Sequence, residues 1–394
     1  FDITWYAPFQ SGGGYCSEAY AFAGVMKHLN MTAGQFVGIP HGDSYNKEYL
    51  ASISLEQRWF LGDDFRPARG DRETVHIVVC HSEPGAWHAP YPKYYTKDCP
   101  PVDSRGAAAS RVFRVGRTMF ETDSIPDGWV SRLNFMDEIW VPSRFQKDIF
   151  VRRGVKSSRV RVVAEPVDTD FFRPLDSPGV AKDGGTNFLF VGKWEERKGL
   201  RILLRAFLRE FAPDEDTRLT VLTSTYHSTS DFWGEIVKFV RQEDLYGADA
   251  AALHARISVV SNVPQADMPA LYSAATALVI PSRGEGWGRP HVEAMACGLP
   301  VVATNWSGPA VYLDDAVGYP LRVDGMVDAG GWKGHRWADP SESHLRQILR
   351  QIHSSPAAAL AKGAAARQKM VDAYSVPAFA EIMQGEIKRI VRFV

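Results

Sequence analysis

The sequence predicts an α/β protein made of two doubly wound domains, and three observations carry that expectation. Short β-branched runs alternate with longer stretches of helical period, the alternation stops once, and it then starts again. The length of 394 residues agrees, since domains of about 150 residues give two to three of them.

In the first half, strands are expected at 2–6, 35–39, 74–80, 112–117, 138–141 and 159–163, each bounded by turn-forming residues. Helical patterns fall between several of them, at 15–29, 128–135 and 144–153. The pattern stops near 165–174, and the polar, Gly-containing stretch 177–185 reads as a linker. The second alternation has strands at 188–191, 219–222, 257–260, 277–280 and 301–303, with helices at 200–211, 232–241, 268–274 and 291–296. The segment 357–394 is helical, Ala-rich and basic. Strands covered by helices on both faces form parallel sheets, and ligands of such sheets sit beyond the carboxyl ends of the strands. The residues just after each strand are therefore the ones that carry function.

Charge narrows the partners. Lys plus Arg number 45 and Asp plus Glu 46, a net charge of -1. A nucleic-acid coat or a polybasic membrane binder needs an excess this chain lacks, so no nucleic-acid partner is expected. An anionic ligand must be neutralised by a local cluster. No apolar run reaches the roughly 18 residues of a bilayer span. The chain opens on Phe1 and is expected to be trimmed, which leaves a removed signal peptide or anchor open. Four cysteines make no disulfide scaffold and allow three full pairings, Cys80–Cys99 being one option if the loop of Cys99 folds back. Asn30-Met31-Thr32 and Asn305-Trp306-Ser307 are sequons, the second expected to serve the site rather than carry a glycan.

Two strand exits in the second half are chemically loaded. After 188–191 comes Gly192-Lys193-Trp194-Glu195-Glu196-Arg197-Lys198-Gly199, then a helix. Two lysines and an arginine gather where a helix N-terminus already offers free N–H groups, which is a phosphate site in physical terms or else an ordinary charged loop. After 277–280 comes Pro281-Ser282-Arg283-Gly284-Glu285-Gly286-Trp287-Gly288-Arg289-Pro290-His291-Val292-Glu293. Pro290 suits a first helical position, and the alternate glycines let the backbone approach a ligand. Carboxylates at 285 and 293 suit the hydroxyl pairs of sugars, although Glu293 alone would equally complement a helix dipole.

Glu285 and Glu293, with seven residues between them after Val-Ile-Pro-Ser, resemble the Glu-x7-Glu motif of retaining GT-B glycosyltransferases. The continuation Glu293-Ala294-Met295-Ala296-Cys297-Gly298-Leu299-Pro300 is similar to family 4 of those enzymes, also called glycosyl transferases group 1. Lys198-Gly199, the stretch 270–275, Met136-Asp137-Glu138-Ile139-Trp140-Val141-Pro142-Ser143 and Pro166-Val167-Asp168-Thr169-Asp170-Phe171-Phe172-Arg173-Pro174 resemble it too. The resemblance implies a GT-B fold, two facing Rossmann-like domains with a cleft between them. It places an acceptor-side domain at 1–174, a nucleotide-sugar domain at 175–374, and a last helix, about 375–394, crossing back to the first. By the same resemblance Glu285 holds donor-sugar hydroxyls, Glu293 the ribose, and Lys198 the diphosphate. The amides of Gly286 and Trp287 approach the sugar, and Gly288 is placed with them at the donor. Lys193 stands where the family has an arginine, keeping charge but losing the bidentate fork. Arg289 replaces a commonly apolar residue and is expected either to reach the ligand or to be solvated.

In the first half, Gly12-Gly13-Gly14 follows a strand and precedes a helix, but the third glycine of the dinucleotide fingerprint is absent. That weakens a rival reading as an NAD-dependent oxidoreductase. The resemblance instead turns Gly13 and Gly14 to the donor. His81-Ser82-Glu83-Pro84 is similar to a His-x-Glu-Pro element whose histidine lies beside the donor sugar. Glu121 follows the next strand and is a cleft candidate. Trp87 and His88, with Tyr91, Tyr94 and Tyr95, form a loop able to stack on an acceptor or to pack on its own domain. Asp168-Thr169-Asp170 has metal-binding spacing, yet the resembled family uses no metal there, and it is read as structural.

The expected function is retaining transfer from a nucleotide-diphosphate sugar, UDP or GDP type undecided, to a glycan or glycoconjugate, with no cofactor and no metal. The alternative is an inactive nucleotide-sugar-binding scaffold or sensor. The sequons and the aromatic loop tilt the compartment toward the secretory pathway over the cytoplasm.

Overall fold

The computed structural model describes residues 1–42, 45–62, 74–101, 111–175, 185–224, 231–245 and 250–394. The expected linker at 177–185 lies outside these but for Gly185. The chain divides into two compact units, Phe1–Asp168 with Ala373–Val394, and Thr169–Asp372.

The first unit contains β1 (Asp2–Ala7), α1 (Gly14–His28), β2 (Phe36–Pro40), α2 (Lys47–Ser52), β3 (His76–His81), β4 (Val112–Arg117), α3 (Trp129–Phe135), β5 (Glu138–Val141), α4 (Arg144–Arg152) and β6 (Val160–Val162). Its strands pair in the order β2-β1-β3-β4-β5-β6, all parallel. The pleat sends alternate side chains to opposite faces, so Ile77 and Val79 of β3 join one core while Val78 and Cys80 join the other. Both cores are apolar, which is why these strands read as unbroken hydrophobic runs. Cys80 and Cys99 form a disulfide with Cα atoms 5.7 Å apart, selecting one of the pairings the sequence left open. Closing a loop of that size contributes about 3 kcal/mol in the chain-entropy model. Cys16 and Cys297 are free and buried.

The second unit contains β7 (Thr186–Val191), α5 (Leu200–Glu210), β8 (Thr217–Leu222), α6 (Phe232–Gln242), α7 (Ala250–Arg256), β9 (Ile257–Val260), α8 (Met268–Ser273), β10 (Ala277–Ile280), α9 (Arg289–Ala296), β11 (Val301–Thr304), β12 (Tyr319–Leu321), β13 (Val323–Asp328), β14 (Arg336–Pro340), α10 (Glu342–Ser354) and α11 (Pro356–Tyr374). The sheet order is β12-β11-β10-β7-β8-β9, with β13 and β14 forming a separate antiparallel hairpin. Counted from β7, that order is 3-2-1-4-5-6 in reverse, the Rossmann arrangement, and it turns over between β7 and β10. The exits of these two strands flank the switch point where such sheets bind ligands.

The helical tail is α11 and one further helix. Ser375 caps α12 (Val376–Phe393), its hydroxyl accepting from Ala378 N, and Pro377 follows in the first turn. Helix α12 lies on α1, with Val376 under Gly24 and the rings of Phe379 and Phe22 edge to face at 5.7 Å.

Candidate active site

The two loops at the switch point are joined through their backbones. Gly199 takes φ 74°, and a Cβ there would lie 2.0 Å from the carbonyl oxygen of Pro281, so no other residue permits this approach. Arg283 N donates to the carbonyl of Arg197 at 2.7 Å. Gly288, at φ 109°, caps α9, and Pro290 falls in the first turn as its missing N–H predicts. Beyond β11, Ser307 Oγ accepts from Glu285 N at 3.1 Å, and Gly308 N donates to the Glu285 carbonyl at the same distance. The second sequon thus ends in a buried serine that fixes the backbone of Glu285.

With that frame set, the side chains converge. Lys198 Nζ donates to both oxygens of Glu285, at 2.8 and 2.9 Å. Arg197 donates to Glu285 Oε2 at 3.1 Å, to the Gly284 carbonyl at 2.7 Å and to Glu195 at 2.7 Å. Burial pushes the Glu285 carboxyl up, but Lys198 first, then Arg197 and His291, outweigh it and hold the group at about 2. His291 is closed to solvent, and burial draws its imidazole down to about 4, so it is neutral near pH 7. Glu293 accepts from the hydroxyl of Tyr272 at 3.1 Å and faces Arg289 Nε at 3.7 Å. Burial and then the Glu293 charge push the Tyr272 hydroxyl well above its ordinary value, so it stays a donor. Arg289 is buried beside Glu293, which corrects the solvated reading. Trp287 is buried under an edge contact from Tyr312, whose hydroxyl donates to the Trp287 carbonyl, so this residue offers backbone rather than ring. Lys193 stands exposed at the start of the loop, between Gly192 and Trp194.

The first-unit candidates fare differently. His81 is the last residue of β3 rather than the first of a loop, and the pleat turns its side chain inward. Trp5 Nε1 donates to His81 Nδ1 at 3.0 Å, which leaves the proton on Nε2 to be donated to Glu18 at 2.9 Å. With both nitrogens engaged and no exposed surface, the imidazole faces the interior, whereas the resemblance places it beside the donor sugar. Trp87 is likewise fully buried, its Nε1 donating to Ser82 Oγ at 3.1 Å and its ring lying against Gly116. It is core, not a stacking platform. His88 stays partly exposed, its Nδ1 3.0 Å from Asp98. Gly13 is the N-cap of α1 and Gly14 its first residue, and of the three glycines only Gly12 takes a positive φ, 73°.

Three residues escaped the sequence reading. Tyr15 contacts Thr118 Oγ1 at 3.1 Å and donates to the Met119 carbonyl at 3.2 Å, tying α1 to the exit of β4. Burial, and to a lesser degree the charges of Glu121 and Glu83, hold its hydroxyl protonated, so Glu121 is near this junction. His291 and Tyr272 lie within stretches the sequence singled out, but their contacts depend on the packing of α8 and α9. Asp168 and Asp170 are exposed, and the Thr169 carbonyl between them accepts from Arg367 at 2.8 Å. Among the described residues no group of three His, Cys, Asp or Glu side chains is placed to hold a metal ion.

Two all-parallel six-stranded sheets with a loaded switch point define a GT-B protein, and solved structures agree on the fold. The chain aligns over 99% of its length with HepE from Anabaena, solved with UDP, at TM-score 0.70 and 14% identity, covering 100% of that chain. It aligns over 96% with sucrose-phosphate synthase from Thermosynechococcus elongatus, at TM-score 0.56 and 17% identity, covering 79% of that chain. Within that class, residues 185–329 match the family model of glycosyl transferases group 1, the family the motifs resemble. Over 203 residues the chain is 35% identical to a D-inositol 3-phosphate glycosyltransferase of Frankia alni, covering 50% of this chain and 46% of that one. Over 143 residues it is 34% identical to O-antigen chain mannosyltransferase B of Escherichia coli, covering 35% and 34%. The chain thus spans about half or less of the length of the curated relatives it matches.

Proposed function

We propose that this chain transfers a sugar from a nucleotide-diphosphate sugar to a carbohydrate or glycoconjugate, with retention at the anomeric carbon and without a metal ion. The observation that carries this reading is the Lys198–Glu285 pair at the switch point, with Glu293 in the helix that follows. A buried ionised carboxylate suits the hydroxyls of the donor sugar, and the adjacent ammonium suits its diphosphate. The hydrogen-bonded carboxylate of Glu293 suits the ribose diol. As the glycosidic bond breaks, negative charge grows on the leaving phosphate. Lys198, Lys193 and the amides at the start of α9 stabilise it there, and the leaving phosphate takes the acceptor's proton on the same face. UDP, the nucleotide solved with HepE, is the first base to try.

Purified protein offered UDP-, GDP- and ADP-sugars with a glycan acceptor tests the reading. Release of nucleoside diphosphate, with an anomeric configuration matching the donor by NMR, supports it. Donor binding with no release points to the scaffold reading, and an inverted product overturns retention.

A further inference from the structure

Glu285 faces two cations from the same short loop, and they are not held alike. Lys198 ends in an ammonium whose hydrogen bonds at 2.8 and 2.9 Å both go to Glu285, on a flexible stem that rotates without losing backbone contacts. Arg197 is fixed at three points by Glu285, Glu195 and the Gly284 carbonyl, and its own carbonyl accepts from Arg283 N. Its planar fork matches that set of oxygens and would lose all of it on turning away. A diphosphate bound at this loop competes with Glu285 for Lys198. A buried carboxylate left without a cation is costly, so a second cation must remain when the first is shared.

We infer that Arg197 is a positioning residue for Glu285, the fixed counter-ion that keeps the carboxylate in place when Lys198 turns to the diphosphate. The inference rests on the proposed donor site and assigns a role to a residue outside the Lys193 and Lys198 pair that the resemblance places on phosphate. Glu195 is the anchor at the other end, orienting the guanidinium rather than touching the ligand. The groups facing Glu285 are Lys198 and Arg197 from the β7 exit and His291 from α9, while Ser307 holds its backbone. His291 is uncharged near pH 7 and cannot replace Arg197 there.

Arg197→Gln and Arg197→Lys test the role through two readouts. The first is NMR titration of the 13C-labelled Glu285 carboxylate in the full chain, with and without saturating nucleoside diphosphate. This readout needs no turnover, so it stands apart from the proposed reaction. In the parent, Glu285 stays ionised under both conditions. In Arg197→Gln its titration moves up by at least one pH unit, more with nucleotide bound than without, and Arg197→Lys recovers over half of the shift. The second readout is the pH profile of kcat. Arg197→Gln lowers kcat at least tenfold and moves the acid limb upward, while nucleoside diphosphate affinity stays within about threefold. A Glu285 titration unchanged within 0.3 pH units in nucleotide-bound Arg197→Gln overturns the inference, whatever the activity (a threshold of about twofold in proton affinity). Should Arg197→Gln fold poorly, Arg197→Met takes its place in both readouts, with the same threshold of about 0.3 pH units overturning the inference. A parent that titrates as expected but transfers no sugar removes the proposed function and leaves the ion-pair assignment standing.

Discussion

Lys198 Nζ lies between the two carboxylate oxygens of Glu285, at 2.8 and 2.9 Å, so the residue matched to phosphate and the residue matched to sugar touch each other before any donor arrives. Opposite charges at that distance, in a site largely shut to water, attract far more strongly than on a surface. The pair therefore keeps both groups charged and fixed. In the proposed reading, diphosphate binding exchanges one anionic partner of Lys198 for another and need not desolvate a free ammonium.

Lys198→Ala should remove a charge-assisted contact to the leaving group and cost on the order of 3 kcal/mol of transition-state stabilisation, a little over a hundredfold in rate. Steady-state kinetics with the best donor measures it. Turnover within twofold of the parent would remove Lys198 from the phosphate role.

In the proposed donor site, cationic side chains and helix amides take the place of a divalent ion at the diphosphate. Activity is therefore expected to survive EDTA at millimolar excess. Loss with chelator and return with manganese or magnesium would make the exposed Asp168 and Asp170 metal candidates again.

Sequence and structure agree best where burial is complete. Phe188, Leu189 and Phe190 are wholly buried in β7, and a run apolar on both faces can be little else in an alternating chain. The loops that hold Lys198, Glu285 and Glu293 were legible because local pattern reports strand exits and helix starts, while the choice of these three residues came from the family resemblance. His81 was misplaced by one residue at a strand end. Alternation does not mark where pairing stops, and that one step decides whether the imidazole faces loop or core. Trp87 illustrates a second limit: an aromatic in a loop looks the same in sequence whether it stacks on a sugar or fills the space over Gly116. The β13–β14 hairpin left no apolar period, since most of Val323–Asp328 is outside the core and Gly325 interrupts it. Helix α10 did leave one, with Leu345, Ile348, Leu349 and Ile352 buried at helical spacing behind the cap of Ser341, yet the sequence reading placed no element there.

The buried network of the first unit should make folding acid-sensitive. Glu18 is shut from solvent between His81 and Arg117; burial pushes its carboxyl up, but Arg117 and His81 outweigh it and hold it at about 2. A carboxyl depressed in the folded state contributes stability above its unfolded value, near 4.5, and loses it as pH falls toward the folded one. His81 adds to this with the same sign, because burial lowers its affinity for a proton and the unfolded chain takes one up first as pH falls below about 6.5. Thermal unfolding followed from pH 7 to pH 3 should show a steady fall in Tm beginning near pH 6 to 6.5. Glu18→Gln leaves Arg117 with only the more distant Glu165, at 3.9 Å, as an ionic partner among the described residues, and should destabilise by about 3 kcal/mol at pH 7. It should also flatten the part of the profile below pH 5. An unchanged slope there would place the acid sensitivity elsewhere.

The two glutamates should separate binding from chemistry. Glu293 sits in α9 with its carboxylate held by Tyr272 and Arg289, an arrangement that fixes a hydrogen-bond acceptor for a group that does not change during the reaction. Glu293→Gln is therefore expected to raise the dissociation constant of the nucleoside diphosphate roughly tenfold, with a smaller effect on turnover at saturation. Glu285 lies against Lys198, and in the proposed reaction it faces the sugar, where positive charge would develop at the anomeric carbon as the glycosidic bond breaks. Glu285→Gln keeps size and an acceptor oxygen but deletes the negative charge, and it releases Lys198 and Arg197 from their shared partner. Turnover should drop at least a hundredfold while affinity for the nucleoside diphosphate holds or tightens, since Lys198 no longer has to be shared. Calorimetry with the nucleotide alone, beside turnover with the full donor, reads the two effects separately. Loss of nucleotide affinity in Glu285→Gln with turnover preserved at saturation would show that the two carboxylates have been assigned the wrong way round.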